Sequence, residues 1–486
     1  MQPTSNQSDQ ALTAPNARML RLTFGFVLVT SLVCSLYASF NARGLYSDAA
    51  ALLVVIFEGK SFFVSGTRAT VEILRQVPIV VLSKYTSATL FECGQVFTFV
   101  MLTLPTILCA VCWLIAPRNQ KAWILFPLAS LLIGFAATSM HAVGEAAIAT
   151  SYCWILLFML LFNTRSMTGQ ALFLLLCVPA FQLHEGTFPM TVVLLLSIAM
   201  RVHSAVGHPR ERVFVGLASL LLVTIFANQI RSIMYPLFPD DRAHILQGLK
   251  HFEFLYVDHH FNLPLFTGVM AMCTLSAVVF VYATRPAEKA MRDAKMIVVA
   301  WALFALAAIL AAIMIEESFS PFAQLQARYH PPMISAALGT AMILLLRFRL
   351  SDRLWMQPAT FFILISLCAA QAVADVAATR RWNAYVVDLQ SRLANGRGLI
   401  PWETTLQTAD AAADINWRLF EIGWVVPFTC IIFAPNGIVN AIIDLPKGTT
   451  FRPLDPERPD RLPALRGINY APYKRFLADR RSLNGP

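Results

Sequence analysis

The sequence predicts an all-α polytopic membrane protein with about eleven transmembrane helices. Three observations predict it. Hydrophobic residues make up 57% of the 486 positions. Charged residues make up only 14%, against roughly a quarter in soluble domains. The apolar residues also lie in long uninterrupted blocks, as membrane spans require. This excludes an ordinary soluble enzyme, a disordered chain and a coiled coil. Nine cysteines over this length are too few for a disulfide scaffold, and most sit inside the apolar blocks.

The expected spans are 20–40, 95–116, 121–139, 146–163, 170–184, 187–202, 212–231, 263–283, 295–316, 331–349 and 356–376. All but the fifth and sixth have enough apolar length for a hydrocarbon core of roughly 30 Å. Those two are short and joined by Gln182-Leu183-His184-Glu185-Gly186. They read as two helices, with one long broken helix as the competitor. The first span has an apolar core longer than a signal peptide and reads as an uncleaved anchor. The division is then a cytoplasmic tail 1–19, a transmembrane domain 20–376 with a long first outer loop 41–94, and an extracytoplasmic C-terminal region 377–486.

Within the first outer loop, Ala49 to Phe57 is apolar but too short to cross. Thr67 to Ser83 reads as an amphipathic helix, with Val71, Leu74, Ile79 and Val80 apolar and Arg68, Glu72 and Arg75 polar. Such helices usually lie in the interface plane, and Pro78 should bend or break this one. In the C-terminal region Arg380 to Asp414 is polar and helical in pattern. Residues 418–445 read as a packed or interfacial segment, with a twelfth span as the alternative. From Pro446 on, Pro and Arg predict extended segments.

Lys and Arg counted by loop set the orientation. With the N-terminus in the cytoplasm, short inner connections such as Arg285-Lys289-Arg292-Lys295 hold most of the positive charge of the first 376 residues. The predicted location is an inner (plasma) membrane, N-terminus cytoplasmic and C-terminus outside, periplasmic in a Gram-negative cell. The net charge of +10 is therefore a topological signal plus a basic tail. No nucleic-acid motif accompanies it, and nucleic acid is not an expected partner.

The acids and histidines lie mostly outside. Glu145 opens span four, His184 and Glu185 end span five, and Glu316-Glu317 end span nine. Charges at this depth are costly unless they face a cavity or a partner, and several on one face predict a cavity. His141 and Glu145 lie four apart, so a helix would put them on one side. Asp258-His259-His260 matches no standard zinc spacing, so no metal site is assigned and His259 and His260 are read as cleft lining. A divalent cofactor is left open. No Walker A motif and no Gly-x-Ser-x-Gly elbow occurs, and Cys109 and Cys112 form a C-x-x-C too apolar for redox work.

A cytoplasmic N-terminus, a long first outer loop with an early Asp48, two interfacial helices and Gln326-Ala327-Arg328-Tyr329 before span ten together resemble the GT-C fold glycosyltransferases. These polytopic cell-envelope enzymes take a sugar from a polyprenyl-phosphate carrier and transfer it outside the cytoplasm. The resemblance implies Asp48 as the catalytic base and Arg328 on the donor phosphate. Ser47 stands where the family often has a second acid. The chemistry suits the residues: a carboxylate takes the acceptor proton, and a guanidinium forks onto phosphate oxygens. Glu145 and Glu185 are alternative bases; Lys60, Arg231, His184 and His330 are further substrate contacts. The expected partners are a lipid-linked sugar donor and membrane lipids. The competing class is a secondary transporter or flippase whose buried charges line a path, although no internal repeat supports it.

Overall fold

A computed structural model describes residues 14–46, 48–64, 68–136, 145–205, 209–235, 323–348, 358–410, 425–444 and 462–484. They are mostly helical: α1 Ala14–Phe40, α2 Ala49–Gly59, α3 Ala69–Tyr85, α4 Leu90–Ile115, α5 Leu125–Ala136, α6 Glu145–Phe158, α7 Met167–Ala180, α8 Phe188–Ala205 and α9 Pro209–Met234. After them come α10 Ala323–Phe348, α11 Pro358–Asn395, β1 Gly398–Pro401, α12 Trp402–Asp410, α13 Val426–Ile432, β2 Ala441–Asp444 and α14 Ala471–Asn484.

Six helical stretches among the described residues are long and apolar enough to cross a membrane: 17–40, 90–115, 145–163, 185–202, 209–234 and 360–395. The chain is therefore a helical, multi-pass membrane protein. The expected spans 263–283 and 295–316 lie outside the described residues. Three others are helical but differ in extent. Span three is a 3-10 turn, Arg118–Ile124, followed by the twelve-residue α5 within its described part. Span five is the fourteen-residue α7, and in span ten the apolar stretch of α10 runs over Pro332–Leu346. The segment 170–202 is two helices, because α7 ends after Pro179 and the chain turns before α8 starts.

The chain forms two compact units. The first contains residues 1–34, 66–71 and 103–375. Its core is a bundle in which α10 packs on α5, α6 and α8, and α9 packs on α7 and α8. α6 is buried along its entire length, so it is the central helix. Trp154 on α6 donates from Nε1 to Ser130 Oγ at 3.0 Å, and that hydroxyl bonds Ser335 of α10. This chain satisfies three polar groups inside an otherwise apolar core.

The second unit contains residues 35–65, 72–102 and 376–486. It joins the first outer segment to the C-terminal region, which the sequence reading keeps apart. It also corrects the all-α expectation: β1 and β2 pair in parallel, Gly398 opposite Ala441 through Pro401 opposite Asp444. Residues 425–444 hold the seven-residue α13, a 3-10 turn and β2, so the described part of 418–445 is packed structure and not a twelfth span. α13 is wholly buried, and burial pushes its Cys430 thiol up to about 12, which leaves it a protonated packing group. Helix α14 replaces part of the extended tail the proline content predicts. It lays Phe476 across Gly398, whose φ of +74° and missing Cβ admit the ring.

Two corrections concern the first outer loop. α2 is buried over Ala49–Val54 and at Ile56 and Phe57, so it is a core helix and not an interfacial one. α3 is helical on both sides of Pro78, so of the two expected outcomes, a bend or a break, the break does not occur.

Candidate functional site

Two buried carboxylates and a half-buried arginine meet in the first unit. The link between α7 and α8 is built by its own side chains. His184 is extended, with φ −173° and ψ 133°, and its Nδ1 accepts the Gly186 N–H at 2.9 Å. Its carbonyl accepts from Thr187 N at 3.1 Å and Thr187 Oγ1 at 2.7 Å. These bonds wind Glu185–Thr187 into a 3-10 turn that runs directly into α8. Glu185 is thereby set at a helix start, as Glu145 is at the start of α6, and both carboxylates sit where a helix end carries partial positive charge.

Arg68 bridges the two acids. Its Nη1 donates to Glu145 Oε2 at 3.0 Å. Its Nε donates to Glu185 Oε2 at 3.0 Å, and its Nη2 to Glu185 Oε1, a two-pronged fork. The glutamate side chains are 8% and 4% exposed and the arginine side chain 22%. Carboxylates this deeply buried need a cation, and Arg68 serves both. His184 Nε2 lies 4.0 Å from Glu185 Oε1. The chain around Arg68 is tied to the same turn. Thr70 N donates to Gln182 O at 3.0 Å and Thr70 Oγ1 to Pro179 O at 2.7 Å. Further in, Gln229 of α9 bonds Thr187 Oγ1 and Thr191 Oγ1, each at 2.9 Å. The polar set thus reaches from residue 68 through the α7–α8 link to α9.

The sequence reading brings Glu145 and Glu185 to one face, and the structure brings them to one guanidinium. It misses Arg68, whose partners lie 77 and 117 positions away. Five basic residues in the first outer loop are equivalent by pattern: Arg43, Lys60, Arg68, Arg75 and Lys84.

Asp48 belongs to the second unit, on the turn that leads into α2. That turn is fixed from several sides. Arg43 is buried and donates from Nη1 to Thr379 Oγ1 at 2.9 Å. Gly44 N donates to Thr98 Oγ1 at 3.0 Å, and Trp382 Nε1 donates to Asn41 O at 2.8 Å. Asp48 is half-buried, its backbone is already helical (φ −52°, ψ −19°), and its carboxylate makes no cap hydrogen bond to α2.

Lys60 is exposed and ends α2 in a left-handed conformation, with φ +47°. Arg231 is exposed in the last turn of α9. Arg328 and His330 fall in the first turns of α10, where the backbone alone is described. His141, His259 and His260 lie outside the described residues. Among the described residues no group of three His, Cys, Asp or Glu is placed to hold a metal ion. No family model, no curated protein and no solved structure matches this chain.

Proposed function

We propose that this chain is a GT-C-like membrane glycosyltransferase. It moves a sugar from a polyprenyl-phosphate donor to an extracytoplasmic glycan or lipid acceptor. In this reading eleven spans put the N-terminus in the cytoplasm and the C-terminus outside, Asp48 is the general base, and Arg328 contacts the donor phosphate. The observation that carries the reading is the setting of Asp48. Asp48 is half-buried on the turn that starts α2. The turn before it is also rigidly held, as a positioned base requires. Arg68 donates to Glu145 Oε2 and to both Glu185 oxygens, which suits these acids to holding that arginine and its neighbours in place.

The test is reconstitution of the full chain in liposomes with a panel of polyprenyl-phosphate sugars and a lipid or glycan acceptor. Asp48→Asn should lower transfer by roughly 10²–10⁴-fold, with donor binding retained. Full activity in that variant moves the base elsewhere, and no transfer with any donor sinks the enzyme reading.

One observation favours a second reading. Buried ionisable groups at a break between two apolar helices are also how a secondary transporter or flippase builds its path. In that case the same liposomes move lipid or solute across the bilayer without making a glycoside.

A further inference from the structure

Residues 72–85 of α3 lie in the second unit and set buried polar side chains against an exposed apolar face. On α3, Glu72, Arg75 and Gln76 are buried at 4%, 3% and 0% exposure. The Arg75 guanidinium lies over the Phe97 ring, 5.7 Å from its centroid. The outer face of the same helix is apolar: Ile73, Leu74, Val77 and Val81 are each about two-fifths exposed, and Tyr85 is exposed at its end. A helix in water buries the second set and exposes the first. Inversion is stable only where the surroundings are less polar than the protein interior it faces.

The segment before α3 is also apolar and exposed. Phe62, Phe63 and Val64 are consecutive and exposed at 43%, 50% and 43%. Three such residues in a row would collapse onto the protein if nothing held them. Here the buried Gln76 amide holds them out. Its Oε1 accepts the Phe63 N–H at 2.8 Å, and its Nε2 donates to the Phe63 carbonyl at 2.7 Å. Both backbone groups of Phe63 are satisfied internally, as a segment leaving water requires. At the far end of α3 the Lys84 ammonium lies 5.5 Å from the Tyr85 ring, a pairing suited to the headgroup level. The helix has 17 residues, about 26 Å, short of a roughly 30 Å core.

We infer that Phe62–Val64 and the Ile73–Val77–Val81 face of α3 form a wedge that sits in the bilayer, packed against acyl chains and held by Gln76. The occupant is lipid because six helices long and apolar enough to cross a membrane make the bilayer this protein's solvent, and the exposed lysines, Lys60 and Lys84, stand at the ends of the patch. The inference is independent of the glycosyltransferase reading.

The experiment places p-benzoylphenylalanine at Phe63, Val77 or buried Val71 in the full chain in phospholipid nanodiscs, with mass spectrometry of the photoproducts. Positions 63 and 77 should give mainly phospholipid adducts and position 71 mainly adducts within the chain. In detergent the lipid adducts should be replaced by detergent adducts at the same two positions. Protein adducts at 63 and 77 overturn the inference: an intermolecular product means a second copy covers the face, and an intramolecular one means the chain covers it. Recovery of unreacted probe at both positions means the face is in water and also overturns it.

Discussion

Arg68 is the residue on which the first unit's charge balance turns. With Ala in its place, two carboxylates at 8% and 4% exposure lose their counter-ion. Breaking a buried pair costs about 3–5 kcal/mol, and the partial exposure of Arg68 argues for the lower end. Glu145→Gln removes one charge but leaves an amide oxygen that still accepts from Nη1, so it should cost less. Thermal unfolding in nanodiscs should therefore rank Arg68→Ala below Glu145→Gln, with wild type highest. Equal midpoints for all three would mean that the cluster contributes nothing to the fold. Arg68 shows the limit of one-dimensional reading. The costly groups, Glu145 and Glu185, are visible because each stands where a span begins or ends. Their common partner is not, because a lone arginine in a polar loop has no period and no local motif.

At the scale of elements, helices are legible where sequence forces them. Long apolar runs such as 90–115 and 209–234 leave no alternative, and their ends fall within a few residues of those expected. Short apolar runs are not legible in this way. Ala49 to Phe57 has the same composition whether it lies on a membrane or inside a core, and only packing decides that α2 is buried. The pair β1–β2 is invisible in the sequence because two four-residue strands 40 positions apart carry no hairpin signal. α2 is reached through a tight approach to α4. A Cβ on Gly44 would lie 2.8 Å from Thr98 Oγ1 and 2.9 Å from Thr98 Cα, and the backbone atom cannot move aside. Gly44→Ala should therefore cost about 1–3 kcal/mol. Gly25, in α1, has nothing within 4 Å of where a methyl group would stand, so Gly25→Ala should be neutral or gain up to about 1 kcal/mol in helix propensity. Unfolding midpoints moving in opposite directions would bear this out, and a Gly44→Ala protein as stable as Gly25→Ala would not.

For the whole molecule, the orientation proposed from loop charge is tested by introducing single accessible cysteines in sealed vesicles. Residues 58–60, 240–260 and 460–480 should react only with outside reagent, and 286–294 only after the membrane is opened. Reaction of 460–480 from the cytoplasm would require an even number of spans. The assembly of the second unit has a consequence of its own, one of timing. Its three pieces, 35–65, 72–102 and 376–486, leave the ribosome far apart, with roughly 270 residues between the second and third. At about 5–20 residues per second, that interval is on the order of tens of seconds. Through that interval Tyr46 has no Trp382 beside it, Phe91 has no Phe433, and Gly44 and Arg43 hold half a turn. The early loop therefore waits for a C-terminal region that is translated last. Every copy must pass through a stage in which its proposed catalytic turn exists but is unfinished. A chain that stops short of residue 376 has no way to complete it.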